Sequence, residues 1–328
     1  MLEVVFVVSR YIILVIGAWT TLKLALNIYK WFEEIFLLKE LDLQKRYGYG
    51  SWAAITGSTD GIGLGFARGL ANRGFNIVLI SRNPKKLQNR KEEIIAEAKR
   101  NGKTVEVKTV QIDFEEIHKP ESIQKIDREL SGLDISILVN NVGISTGGVA
   151  LIDMELSHSL SMVKINLISQ TLMTKWFFSK IAKKARNGKS ALIHISSITS
   201  LASMSAKEIY CGSKKFNQRF GLNLWHKSKN AGIDTLVFKP GYIQTNLTHN
   251  RKLDVVTCLV DEAVNSVLRV LGQRTETYGH WKHIRFGGVL SGVFWTIPYS
   301  VVTKGFKPVY KMIGWKTGIE KKDKLKED

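Results

Sequence analysis

Between about Tyr49 and His283 the chain alternates short apolar runs with longer stretches of helical period, and this alternation limits the fold most. The runs "SWAAIT", "FNIVLIS", "VEVKTVQID", "DISILVNN", "SALIHISS" and "DTLVFKP" are rich in Val and Ile, as strands are. Helical stretches separate them. In "PKKLQNRKEEIIAEAKRNG", Pro84 stands at a helix start and Gly102 just past its end. Parallel strands need crossover connections, so the pattern predicts an α/β fold: a doubly wound parallel sheet with helices on both faces. Such a sheet binds ligands beyond the carboxyl ends of its strands.

The first predicted strand runs into "TGSTDGIG", with Thr56, Gly57, Asp60, Gly61, Ile62 and Gly63. A strand ends there and a helix begins. Orphan backbone N–H groups and the helix dipole then favour an anion. Glycines let a pyrophosphate approach the backbone, so the turn predicts dinucleotide binding, although glycines in a turn often do no more than turn. The second strand ends in "LISRN". A carboxylate there would bond the ribose hydroxyl of NAD. Ser81 and Arg82 stand there instead, which favours the 2′-phosphate of NADP. The competing reading makes Arg82 the exposed start of a basic helix.

The ends differ from this middle. "MLEVVFVVSRYIILVIGAWTTLKLALNIYKW" is almost wholly apolar, and a spanning helix needs ~20 such residues. Tyr11 to Tyr29 keeps Arg10 at one edge, and Trp19, Tyr29 and Trp31 suit an interface. A membrane anchor is expected; an interfacial helix and a cleaved signal are the alternatives. Phe286 to Val302 is a second apolar run, read as membrane-dipping or surface-lying, with a buried core helix as alternative. The expected organisation is anchor and linker over 1–48, nucleotide-binding domain over 49–285, and apolar segment with basic tail over 286–328. There are 48 Lys and Arg against 29 Asp and Glu, a net charge of +19, which suggests an anionic partner. No nucleic-acid module is present, so nucleic acid is not expected. The two cysteines, Cys211 and Cys258, cannot build a disulfide framework. The seven histidines show no ligand spacing, and no metal is expected.

"EIYCGSKK" sets Tyr210 and Lys214 four apart, on one helix face. Alone this spacing means little. In order along the chain stand "TGSTDGIG", "NNVG" (Asn140 to Gly143), Asn166, "ISS", Tyr210-Cys-Gly-Ser-Lys214 and "PGYIQT". Together these resemble the short-chain dehydrogenase/reductases over roughly residues 49 to 250. The resemblance implies a Rossmann-like fold and hydride transfer to a carbonyl carbon, with Tyr210 giving the proton. A phenol near pKa ~10 is a poor base, and a nearby ammonium should favour its phenolate. Lys214 is implied to supply that charge and to hold the nicotinamide ribose. Ser197, thirteen positions before Tyr210, is implied to bond the substrate oxygen, with Ser196 as the lesser candidate. Asn166 would hold the helix backbone for a relay water. Asp113 would face the adenine and Thr245 the carboxamide, with Asn140, Gly143 and Pro240 also at the cofactor.

"NNVG", "LISRN" and the apolar start resemble, within the family, the microsomal 17-beta-hydroxysteroid dehydrogenase and very-long-chain 3-oxoacyl-CoA reductase group. That implies an NADPH-dependent membrane enzyme reducing a long-chain 3-oxoacyl-CoA in fatty acid elongation. A 17-beta-hydroxysteroid or other lipophilic ketosteroid is the alternative substrate, and a non-catalytic NADP-binding scaffold the non-enzyme alternative. Expected partners are a lipophilic carbonyl substrate (acyl-CoA or steroid) and a membrane; a homo-oligomer is left open. Lys30, Lys39, Lys45 and Arg46 follow the anchor, and Lys324 and Lys326 stand near the chain end. The first four follow the positive-inside tendency and the last two resemble a dilysine retrieval signal, so an endoplasmic reticulum membrane protein with its catalytic domain facing the cytosol is expected.

Overall fold

The computed structural model describes residues 2–145, 147–182, 189–201 and 207–296. Helix α1 (Leu2–Phe32) leads through a π-helical turn (Glu33–Leu37) to α2 (Leu43–Tyr47). Then come β1 (Trp52–Thr56), α3 (Gly61–Ala71), β2 (Asn76–Ser81), α4 (Pro84–Arg100), β3 (Val107–Gln111), α5 (Pro120–Glu129) and β4 (Ile135–Asn140). The second half holds α6 (Leu156–Val163), α7 (Ser169–Ala182), β5 (Ser190–Ile195), α8 (Glu208–Asn230) and β6 (Ile233–Phe238). It ends with β7 (Tyr242–Ile243), β8 (Thr257–Cys258), α9 (Val260–Val270), β9 (Glu276–Thr277) and α10 (Trp281–Thr296).

Seven strands form one parallel sheet in the order β3-β2-β1-β4-β5-β6-β9. This is the expected Rossmann-like architecture. The six apolar runs are six of its strands. The seventh, β9, has two residues, too few to show a period in sequence. Strands β1, β4 and β5 are buried along their whole length, because helices cover both faces. One core layer joins Phe66, Leu70, Ile94, Val264 and Leu268 to the sheet; the other joins Ile126, Met173 and Phe177. Asn83 caps α4, accepting from Lys86 N–H at 2.9 Å, with Pro84 in the first turn as the sequence implies. The chain leaves β1 outward to β3, then returns to β4 and builds the other way. The switch point therefore lies between β1 and β4, at their carboxyl ends.

Val4–Leu37 is long and apolar enough to cross a membrane, and the apolar side chains of α1 from Val4 onward are largely exposed. Lys23 Nζ lies 4.9 Å from the Trp19 ring centroid. The segment after α1 is not a loose tether. Glu34 is buried and bonds Thr277 of β9; Glu33 pairs with Arg274. Arg269 donates to Ile35 O at 2.9 Å. Arg46 and the Tyr47 hydroxyl both bond Asp234 of β6, at 2.6 and 2.9 Å.

The run from Phe286 enters α10 as far as Thr296; the rest of it and the basic tail lie outside the described residues. Gly287 and Gly288 let α10 pack closely. A Cβ there would stand 2.4 Å from the Tyr278 ring and 2.3 Å from the Trp31 ring. Trp31 and Ile35 thereby join Ile198, Tyr278 and Ile284 in a small apolar cluster at the foot of α1.

Candidate active site

A cleft of about 300 Å³ opens at the switch point. It is lined from the turn after β1, the loops after β4, β5 and β6, and one face of α8. Thr56, at the end of β1, is fully buried. Its hydroxyl donates to Val139 O at 3.3 Å and accepts from Asn141 and Val142 N–H at 2.9 and 3.1 Å. Asn141 Nδ2 donates back to Thr56 O and Gly57 O, at 2.9 and 3.1 Å. The two loops at the switch point are thus locked together. Gly57 has φ +63° and Gly61 φ +51°, conformations that glycine adopts without strain. Gly63 meets a different need. A Cβ on it would lie 2.3 Å from Gly57 O and 2.4 Å from Asn141 Nδ2.

Asp60 caps α3, accepting from Gly61 N–H at 2.7 Å, and Asn246 reaches over to its other oxygen. Ser58 is buried with an unpartnered hydroxyl. Arg90 Nε donates to Thr59 O at 3.2 Å and holds the turn from outside. An orphan hydroxyl, orphan helix amides and a glycine-walled approach fit the phosphates of a dinucleotide.

The Tyr210 side chain is half-buried, lines the cleft and bonds Ser197. Ser197 Oγ also accepts from Thr199 N–H at 3.2 Å. Ser196 donates to Lys214 O at 2.6 Å, so its hydroxyl is occupied in holding α8. Lys214, 4% exposed, donates to Ile195 O at 3.2 Å and lies 5.6 Å from the Tyr210 ring centroid. Asn166 sits in a second π-helical turn, Lys164–Ile168, between α6 and α7. Its side chain accepts from Ile144 N–H at 2.8 Å and donates to Ile144 O at 2.9 Å and Ser213 Oγ at 3.1 Å. π-turns of this kind are frequent at functional sites.

The expected lowering of the Tyr210 pKa is not found. Burial pushes its phenol up to about 12, offset in part by the bond to Ser197. Burial also pulls the Lys214 ammonium down to about 8. Desolvation penalises phenolate and ammonium alike, and at this separation it outweighs their attraction.

The other predicted positions are spread along the same edge of the sheet. Gly143 lies against Asn166 and Lys214: a Cβ there would be 3.3 Å from both Oδ1 and Nζ. Pro240 O accepts from Ile198 N–H at 2.8 Å, and Thr245 packs on Gly61. Arg82 and Asp113 are exposed at the ends of β2 and β3, outside the lining of the cleft. Asn140 turns away from it and donates to Thr174 of α7 at 2.9 Å. Asn141, the next residue, makes the lock described above. "NN" gives no hint which one faces the turn, because β4 is buried on both faces.

Residues 51–255 match the family model for short chain dehydrogenases. The chain belongs to the short-chain dehydrogenase family. It is an oxidoreductase of that family. The very-long-chain 3-oxoacyl-CoA reductase-A of Danio rerio is 32% identical over 281 residues, covering 84% of each chain. The human very-long-chain 3-oxoacyl-CoA reductase is 32% identical over 75% of this chain and 76% of its own. The 17-beta-hydroxysteroid dehydrogenase type 3 of Danio rerio is 30% identical over 74% and 77%. Among solved structures, that of a 7beta-hydroxysteroid dehydrogenase covers 76% of this chain and 100% of its own, with TM-score 0.63 and 22% identity. A short-chain dehydrogenase from Sphingobium yanoikuyae in complex with NADPH gives TM-score 0.60 at 22% identity, covering 75% and 96%. These two bear on the fold.

Proposed function

We propose that this short-chain dehydrogenase is a membrane-anchored, NADPH-dependent carbonyl reductase that converts long-chain 3-oxoacyl-CoA to 3-hydroxyacyl-CoA. The observation that carries the chemistry is the bond between buried Ser197 and Tyr210, with Lys214 beside them, in the cleft that begins at the glycine turn. The substrate follows from the relatives named very-long-chain 3-oxoacyl-CoA reductases. The relative named 17-beta-hydroxysteroid dehydrogenase favours a ketosteroid as second reading.

The bound nicotinamide would supply the hydride that goes to carbon 3. Ser197 donates a hydrogen bond to the 3-oxo oxygen, and the Tyr210 hydroxyl gives that oxygen its proton as the C–H bond forms. A phenol near pKa 12 is protonated throughout the working range, so Tyr210 starts as the acid. The Lys214 ammonium lowers the cost of the phenolate left behind and holds the ribose. Asn166 fixes the helix and loop around the proton path. The exposed α1 and the cations that follow it support an endoplasmic reticulum anchor with the catalytic domain in the cytosol.

Purified enzyme in detergent, assayed over a salt series, tests the substrate. With acyl-CoA, kcat/KM should fall as salt rises, because charge steers an anionic handle, and should fall again as the chain shortens. With a ketosteroid it should stay flat. Efficient steroid reduction without acyl-CoA turnover overturns the assignment.

Two further outcomes follow. Arg82→Ala should raise the KM for NADPH about 10- to 100-fold, the equivalent of ~1.5–3 kcal/mol for a charged hydrogen bond, and leave NADH within about twofold. Equal effects would return Arg82 to a solvated helix start. The second is a pH limb. Lys214 is charged below its value of about 8 and loses its proton above it. The kcat/KM for NADPH should therefore drop as pH rises past 8, and Lys214→Arg should remove that limb, since a guanidinium stays charged. A wild-type profile that stays flat up to pH ~10, the ordinary lysine range, would exclude Lys214 as the ionising group.

A further inference from the structure

Apolar side chains are exposed at the cleft, on the loop that follows it in the chain and at the start of α10. Leu247 is 54% exposed and also lines the cleft. Leu253 and Val255, in the loop before β8, are 52% and 72% exposed, and Trp281, at the start of α10, is 48% exposed. These are not scattered. Lys282, next to Trp281, donates to Asp254 O at 2.9 Å and to Thr257 O at 3.0 Å, so the loop carrying Leu253 and Val255 is bound to the start of α10. Asp254 accepts from Val256 and Thr257 N–H at 2.9 and 2.7 Å, which fixes the turn between the two apolar tips. The tips it presents to the outside are Leu253 and Val255.

The same helix leads to the foot of α1. Gly288 packs on Trp31, and Trp281 precedes it by two turns, about 10 Å along the axis. The helix that begins with exposed Trp281 is thus packed on the foot of the exposed α1. Cations flank the exposed apolar residues. Lys252 stands between Arg251 and Leu253, and exposed Arg285 lies one turn from Trp281. The guanidinium of Arg251 lies over the Tyr242 ring at 4.3 Å. The surface ends at Leu259, where Asp261 and Glu262 open α9.

We propose that Leu247, Leu253, Val255 and Trp281 dip into the bilayer surface beside α1 and set the mouth of the cleft at that surface. This rests on α1 being a membrane anchor. Apolar tips interleaved with Lys and Arg fit the boundary between acyl chains and anionic headgroups, where such surfaces enter ~5–10 Å. The consequence is a dry path: an apolar substrate passes from the bilayer over Leu247 to Tyr210 without crossing water.

Cys211 and Cys258 are both buried, so a thiol placed on the surface can be labelled selectively. An environment-sensitive fluorophore goes on Leu253→Cys, Val255→Cys, Gly17→Cys within α1, or exposed Gln124→Cys of α5 on the other face of the sheet. The full chain is reconstituted in phosphatidylcholine vesicles with and without phosphatidylserine, carrying lipids with a spin-label quencher near the headgroup or at the chain end. Labels at 253 and 255 should emit to the blue of that at 124 and be quenched at least ~threefold more, best by the shallow quencher, as an interfacial depth requires. The label at 17 should prefer the deep quencher. Quenching at 17 with labels at 253 and 255 matching 124 leaves the anchor standing and overturns the proposal. Absence of quenching at 17 removes the anchor and the proposal with it. A blue shift at 253 and 255 without lipid quenching means a second copy covers the surface, which also overturns it.

Discussion

Tyr210→Phe should lower kcat for carbonyl reduction by about 10²- to 10⁴-fold, the range a positioned general acid contributes. The hydroxyl it removes is the one that bonds Ser197 in the cleft. The variant keeps the aromatic ring and hence the packing. Lys214 remains anchored to Ile195 O, and the glycine turn is untouched, so NADPH affinity should stay within about twofold. Stability should change by no more than ~1 kcal/mol, the net worth of one hydrogen bond. Rapid mixing for the chemical step and fluorescence titration for the cofactor separate the two. Reduction at the parental rate would remove Tyr210 from the mechanism.

Gly63→Ala should be the most damaging single methyl group in the nucleotide turn. Its Cβ would lie 2.3 Å from the Gly57 carbonyl and 2.4 Å from Asn141 Nδ2. Neither is the free end of a flexible side chain. Gly57 O belongs to the turn, and Asn141 is held by Thr56 O as well. Overpacking of this kind costs ~1–3 kcal/mol, and a fixed backbone puts Gly63 near the upper end. The melting temperature should drop by roughly 6–12 °C, and cofactor affinity by about 10- to 100-fold as the β1 and β4 loops separate. Gly212→Ala is the matched control. It lies on α8 between Tyr210 and Lys214 with nothing within 4 Å of a built Cβ, so it should be neutral or stabilise by ~0.5–1 kcal/mol. Calorimetry and cofactor titration read both variants. A Gly63→Ala protein that melts and binds like the parent would show that the β1 turn yields without cost.

The sheet was legible because its signals are local. Six apolar runs separated by helical periods allow few arrangements other than a doubly wound sheet. Asn83-Pro84 and Gly102 bound α4 by capping chemistry that needs no distant partner. The turn from Thr56 to Gly63 is legible for the same reason, since strand, glycines and helix start are contiguous. Tyr210 and Lys214 share a face at a spacing of four, and Ser197 enters through the family pattern.

What depends on residues far apart in sequence was not legible. The choice of Asn141 over Asn140 as the lock requires knowing that β1 lies beside β4. The two-residue β9 exists because Val237 and Phe238 offer it an edge. Glu34 is docked by Thr277, more than two hundred positions away, so no local reading could tell a linker from a fixed foot. Protonation follows the same rule. Sequence alone suggested that Lys214 would acidify Tyr210, but burial raises one and lowers the other. Desolvation scales with everything packed around a group, and only the tertiary structure sets that.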